Sequence, residues 1–321
     1  MRKLTKKYRV HLAGWLLLLA LLPVSCIKDD YAPKDKATVT VTFTTRALSN
    51  PTTEAGELKT NEQMHTLRVI VARTSGEILY NLKYDIAENE TRKTITFSEM
   101  TVNAEGETFD FYAIANEEGV GYEGSWENVP VADLKGMNLQ DGFLTNANDA
   151  STNIVIPQTA YKPITVAPQS GGGIKSETMQ LNFAVAKVRL TINNTSAGDQ
   201  YVNEINLSGL NMKSTPLFAG KFLSTENQGE LSLGNMTISA GESATVYAYF
   251  FENTEGDYAL TANWNGKQQT LNIKNSDANI TEISRGTELD INITLNATTT
   301  PTFNIEVVPW TAVEVDVPPF N

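Results

Sequence analysis

The 321-residue sequence holds one cysteine, Cys26, and two histidines, His11 and His65. A lone cysteine forms no internal disulfide. One histidine beyond the N-terminal segment, with no cysteine near it, is too little for the usual zinc cluster. It is also a thin basis for a Ser-His-Asp triad, because nothing in the sequence places His65 in a cleft. After Cys26 no run of residues approaches the ~20 apolar positions of a spanning helix. Heptads, short solenoid repeats and a collagen period are all missing. Basic charge is scarce as well. Five of the 25 lysines and arginines precede Cys26 and none of the 37 acidic residues do, so the chain from Cys26 onward sets 20 basic against 37 acidic residues, a net −17. That balance opposes nucleic acid and anionic lipid as partners.

Catalytic and ligand motifs are equally thin. Gly171-Gly172-Gly173 runs into Ile174-Lys175-Ser176, but a phosphate-cradling loop needs a following helix, and a strand pattern follows here. The pair Glu117-Glu118 reads as a solvated loop; carboxylate catalysis needs two groups held about 5–9.5 Å apart on rigid elements. The Asx-rich loops at 146–153 and 275–279 lack EF-hand spacing. The expectation is a chain with no catalytic residues, no metal and no cofactor.

What is present begins at the N-terminus. Arg2, Lys3, Lys6, Lys7 and Arg9 precede an apolar run from Leu12 to Val24, and Ser25 then meets Cys26. This reads as a lipoprotein signal peptide over residues 1–25, with Cys26 as the thioether attachment point for lipid. Pro23 stands three before the cysteine, where leucine is usual. Ile27-Lys28-Asp29-Asp30 resembles the export signal that sends Bacteroidota lipoproteins to the outer face of the outer membrane. Acyl chains contribute roughly 0.8 kcal/mol per buried methylene, so two or more hold a protein stably at a membrane. The expected location is the cell surface, as an outer-membrane lipoprotein precursor.

Beyond Cys26 the pattern is β almost throughout. ATVTVTFTT (37–45) alternates as a half-buried strand, and LRVIVAR (67–73) is dense enough for a central one. Further strands are expected at 77–86, 91–100 and 107–116. Residues 117–150 are polar and loop-like, with a short helix near Val131–Met137. Pro157 and Pro163 confine 153–166 to an edge or to two pieces. MQLNFAVAKVRLTINN (179–194) reads as one long strand. YALTANWNGKQQTLNI (258–273) reads as a hairpin with Asn265-Gly266 at its tip. The fold class expected is all-β, as two tandem sandwich domains of similar size, with the glycine-rich stretch 168–177 as the boundary. The ranges are 26–46 for a lipidated propeptide strand, 47–170 for the first domain, and 171–321 for the second, including a tail from about 301.

LRVIVARTSGEILYN (67–81), FDFYAIANE (109–117), LNFAVAKVRLTINN (181–194), VYAYFFENT (246–254) and FNIEVVPWTAVEVDV (303–317), in that order behind a lipoprotein start, resemble the fimbrillin family, the type V pilins of Bacteroidota. The sequence departs from the family at NIVIPQTAY (153–161), where many relatives carry a Met-Gly step, and at Arg285-Gly286, where Arg-Asn is common. The resemblance implies two transthyretin-like β-sandwich domains and a cell-surface fimbria built by strand exchange. In that scheme a trypsin-like, Arg-specific protease cuts the lipidated precursor, its first strand leaves, and a neighbouring subunit's strand fills the groove. The partners implied are other copies of the chain or related subunits, the protease, and the outer membrane before cleavage.

The residues support such a scheme on their own terms. Arg46 follows the first strand and precedes Ala47 and a polar stretch of the kind proteases reach; the plainer alternative is a surface arginine. Arg73 also ends a strand, but inside the expected core. Loss of 26–46 would empty the trench that held Val39, Val41 and Phe43, and an unpaired edge of that kind accepts a partner strand. The tail offers a donor in two pieces, Phe303, Ile305 and Val307, then Val313, Val315 and Val317, with Trp310 near the bend that Pro309 imposes. The alternative is that the tail completes its own domain. A second functional class is a surface lipoprotein or tip adhesin that binds glycan or host protein, with Trp126, Trp264 and Trp310 as stacking surfaces.

Overall fold

Alternation of apolar and hydroxyl residues makes the first strand. In β1 (Asp35–Thr45), Ala37, Val39, Val41 and Phe43 are buried, while the threonines between them lie toward the outer face. The computed structural model describes residues 35–45, 58–88, 90–168, 174–218, 228–253, 255–264, 266–275, 278–296 and 302–309. The next strands are β2 (Thr66–Arg73), β3 (Ile78–Asp85), β4 (Arg92–Val102), β5 (Glu107–Ala115), β6 (Asn138–Gln140), β7 (Gln158–Val166) and β8 (Lys175–Phe183). They are followed by β9 (Ala186–Asn194), β10 (Gln200–Asn211), β11 (Ser214–Pro216), β12 (Gln228–Ile238), β13 (Ser243–Phe250) and β14 (Ala259–Trp264). The last are β15 (Lys267–Asn272), β16 (Lys274–Asn275), β17 (Ala278–Asn279), β18 (Thr287–Leu295) and β19 (Thr302–Pro309).

The chain is nearly all β and its sheets stack as sandwiches. The first assembly has the strand order β3-β2-β5-β7-β8-β1-β4. Among the described strands, the ladder between its two halves is formed where Gln158 and Thr159 of β7 pair with Phe183 and Asn182 of β8. Val39, Val41, Phe43, Phe97 and Leu181 from β8-β1-β4 share a core with Leu67, Val69, Phe109, Phe111 and Ile164 from the other half. Pro163 is tolerated inside β7 because it lies past the short pairing with β8, where β5 alone runs alongside. In the second assembly, β13-β9-β18-β19 lies over β12-β10-β14-β15. Val188, Leu190 and Ile291 there pack with Ile205, Leu207 and Leu260. The expected hairpin is formed by β14 and β15, and Gly266 supplies the positive φ of 72° that its turn requires.

The segment expected to be one strand over 179–194 is two. β8 pairs with β1 and β7 in the first assembly, β9 pairs with β13 and β18 in the second, and Ala184-Val185 is the crossing. β8 therefore stays with the first sheet although it follows the glycine-rich stretch read as the boundary. The physical cause is a change of parity. Met179, Leu181 and Phe183 are buried at odd positions, the first two in the core of the first assembly, whereas Ala186, Val188, Leu190 and Ile192 face the second core at even ones. A third cluster joins the assemblies, with Ile70, Tyr112 and Phe183 from the first, Tyr249 and Phe251 from the second, and Leu134 from the helix Val131–Gly136 packed among them.

Candidate functional site

β1 is held on both sides. It runs antiparallel to β4, with Val39 opposite Phe97 and Phe43 opposite Lys93, and parallel to β8, with Val39 opposite Lys175 and Phe43 opposite Met179. Val39, Val41 and Phe43 have 0% of their surface exposed, and burying each contributes roughly 1.5–3 kcal/mol. On the outer face, hydroxyl pairs Thr40–Thr96 and Thr42–Thr94, each at 3.0 Å, cross to β4. A bulge between Ala37 and Val39 shifts the register. There Glu99 takes a left-handed φ of 64° and its carboxylate accepts from the Lys36 ammonium. The last tie is the Thr45 amide, which donates to the Thr91 carbonyl at 3.0 Å. Among the described strands, β4 pairs with β1 alone.

At the other end of the chain, β19 is an edge strand. Among the described strands it pairs with β18 alone, placing Phe303 opposite Ile293, Ile305 opposite Ile291 and Val307 opposite Leu289. Ile305 and Val307 are partly buried against the second core. Residues 302–309 thus sit in their own assembly, and the strand ends at Pro309. Cys26, Arg46, Ala47, Trp310, Val313, Val315 and Val317 lie outside the described residues, as does the expected signal peptide.

Arg73 is well protected. Its guanidinium pairs with Glu77 at 2.9 Å and with Glu107, and donates to the Thr101 carbonyl at 3.0 Å. Trp264 is buried and its indole N–H donates to Gln200 at 2.9 Å, so it offers no open face to a sugar. Trp126 packs against Tyr122 with ring centroids 5.0 Å apart. His65 Nε2 lies 2.8 Å from the Thr60 carbonyl. Of the pair Glu117-Glu118, expected to be solvated, Glu118 is exposed and Glu117 is not. Glu117 is buried on Arg68, and Lys83 reaches Glu117 at 3.0 Å and Glu118 at 2.6 Å. Arg68 sits within a dense apolar run and needs a buried counter-charge, which Glu117 supplies. No group of three His, Cys, Asp or Glu residues suited to a metal ion occurs among the described residues.

One feature escaped sequence reading altogether. Lys187 on β9 is 1% exposed and bonds Glu62 at 3.0 Å and Glu288 of β18 at 3.3 Å. The Tyr249 hydroxyl donates to Glu62 at 2.7 Å, and Arg189 bridges Glu288 at 2.9 Å and Asp290 at 2.7 Å. Burial pushes the Glu288 carboxyl above its ordinary range, against the pull of Lys187 and Arg189. Glu62 belongs to the short turn Thr60–Glu62 that leads into the first assembly, so this cluster ties that turn to the second. The signal available in the sequence was a pair of cations, Lys187 and Arg189, on the non-core parity of β9.

No family model matches the sequence, and no curated protein does either. Solved structures match over nearly the whole described architecture. The tip fimbrial protein Mfa3 of Porphyromonas gingivalis, in a C-terminally truncated form, aligns with a TM-score of 0.55 at 12% identity, covering 86% of this chain and 100% of that one. A fimbrilin (FimA) from Porphyromonas gingivalis W83 aligns at 0.52 and 10% identity, covering 86% and 99%. The chain has the fimbrillin fold. A candidate cell adhesion protein from Parabacteroides distasonis shares that fold at a TM-score of 0.57 and 14% identity, covering 88% of this chain and 99% of that one. At these identities the likeness concerns architecture alone. Within the fimbrillin fold of this chain, β1 is the strand closest to the N-terminus among those described, and β19 is the last.

Proposed function

We propose that this chain is a subunit of a cell-surface fimbria. In this reading it is exported as a lipoprotein through Cys26, cut between Arg46 and Ala47 by an Arg-specific protease, and polymerised when a neighbour's tail replaces β1. The observation that carries the reading is the construction of β1. Its buried face carries Ala37, Val39, Val41 and Phe43, it is paired on both sides, and its last residue, Thr45, directly precedes Arg46. Its departure leaves two unpaired ladders over an apolar trench, which is the arrangement that captures an incoming strand. Repeated head to tail, such a contact gives a filament rather than a closed ring. The match in fold to fimbrial proteins supports the same reading. The two assemblies are then two domains, with the tail leaving the second.

Mass spectrometry of fimbriae sheared from cells should find a mature N-terminus at Ala47. Material that still carries lipid on Cys26 would instead mark an anchored surface binder or adhesin. Deletion of residues 301–321 should abolish polymers while cleavage at Arg46 continues. Polymers of normal length from that truncation would refute the donor role of Phe303, Ile305, Val307, Trp310, Val313, Val315 and Val317.

A further inference from the structure

When β1 is absent, β4 has no hydrogen-bonded neighbour among the described strands, because its ladder from Arg92 to Val102 is made with β1. The two ends of β4 are then held unequally. Toward its C-terminus, the Tyr80 hydroxyl donates to the Ser98 carbonyl and Arg73 to the Thr101 carbonyl, while Phe97, Met100 and Val102 stay in the core. Toward its N-terminus, Ile95 is the one core side chain, and Lys93 lies 6.0 Å from the centre of the Tyr84 ring. The end of β4 that begins at Arg92 thus has the fewer core side chains, and the segment before it includes the exposed residues Ala87 and Glu88.

Arginine placement sharpens the point. Five arginines follow Arg46. The side chain of Arg68 is 3% exposed, and those of Arg73, Arg189 and Arg285 are each 14% exposed. Arg92 alone of the five is exposed.

We propose that Arg92 is a second, conditional cleavage site for the Arg-specific protease, closed while β1 or a donor strand pairs with β4 and open in the interval between them. The inference rests on the strand-exchange reading above. Water adds across the Arg92–Lys93 peptide bond, leaving a carboxylate on Arg92 and an amine on Lys93. Strand-shaped recognition of extended peptides needs free backbone groups. The paired 11-residue β4 withholds them on its β1 side, and the unpaired strand supplies them. A processed subunit that finds no donor is thus cut within its first domain and lost to assembly, whereas a filled one is spared.

The test is a time course on the full exported chain in detergent, with an Arg-specific protease and mass spectrometry of both new N-termini. The Lys93 terminus should appear only after the Ala47 terminus. Excess synthetic peptide of residues 301–321 should slow it by at least about tenfold, as expected when cleavage tracks the population of an open form. Arg92→Lys should lose the second cut and keep the first. The proposal is overturned if an Arg46→Lys chain, which retains β1, yields the Lys93 terminus as fast. It is equally overturned if chains cut at Arg46 polymerise normally yet never show that terminus before filling, an outcome that leaves strand exchange standing. Absence of any cut at Arg46 would overturn both readings.

Discussion

Phe43→Ala should destabilise the unprocessed chain by about 3–5 kcal/mol, the usual range for emptying a large aromatic site in a packed core. Phe43 is fully buried between Met179 of β8 and the start of β4, in the same core as Phe97 and Phe111. The informative part is the contrast with the processed form. If β1 leaves on maturation, the same substitution is no longer in the molecule, and fimbriae assembled from the variant should resist denaturant as well as the parent. Unfolding curves of precursor and polymer, measured side by side, read this directly. Equal losses in both would mean that β1 stays where it is and that the strand-exchange reading is wrong.

Lys187→Met should be as damaging, in both forms. The substitution leaves Glu62 and Glu288 buried without their shared cation, and breaking a buried pair from one side typically costs about 3–5 kcal/mol. No group in that cluster lies on β1. Precursor and processed chain should therefore fall together, the opposite of the pattern expected for Phe43→Ala. Adding Glu62→Gln and Glu288→Gln to Lys187→Met should recover part of the loss, because those three positions are then uncharged and Arg189 keeps Asp290 as its partner. A loss below about 1 kcal/mol, the range of exposed pairs, would show that water reaches the cluster.

Local pattern carried much of the architecture. The threonine alternation of β1, the dense run of β2 and the Asn265-Gly266 hairpin were legible because each is decided by neighbours within a few residues. The crossing at Ala184-Val185 was harder. The run from Met179 to Asn194 is uninterrupted by glycine, proline or a polar cluster, and only a slip from odd to even apolar positions marks the change of sheet. The ionic cluster was illegible for a different reason. Glu62, Lys187 and Glu288 are distant in sequence and meet only through tertiary packing. At the candidate site, the apolar face of β1 could be read residue by residue. Its position between a parallel and an antiparallel neighbour could not, since pairing partners are a property of topology. That topology is also what leaves β4 with β1 as its one partner among the described strands.

The Ala184-Val185 crossing has a mechanical consequence. The slot beside β8 and the sheet that holds β19 are joined by one continuous stretch of backbone, in which β8 passes through two residues into β9, and β9 pairs with β18 beside β19. Tension on a fibre of such subunits would be handed from the inserted strand to the tail along this taut line. Strands pulled along their length load their hydrogen bonds in shear rather than peeling them one by one, and between β8 and β9 only Ala184-Val185 would intervene in that line.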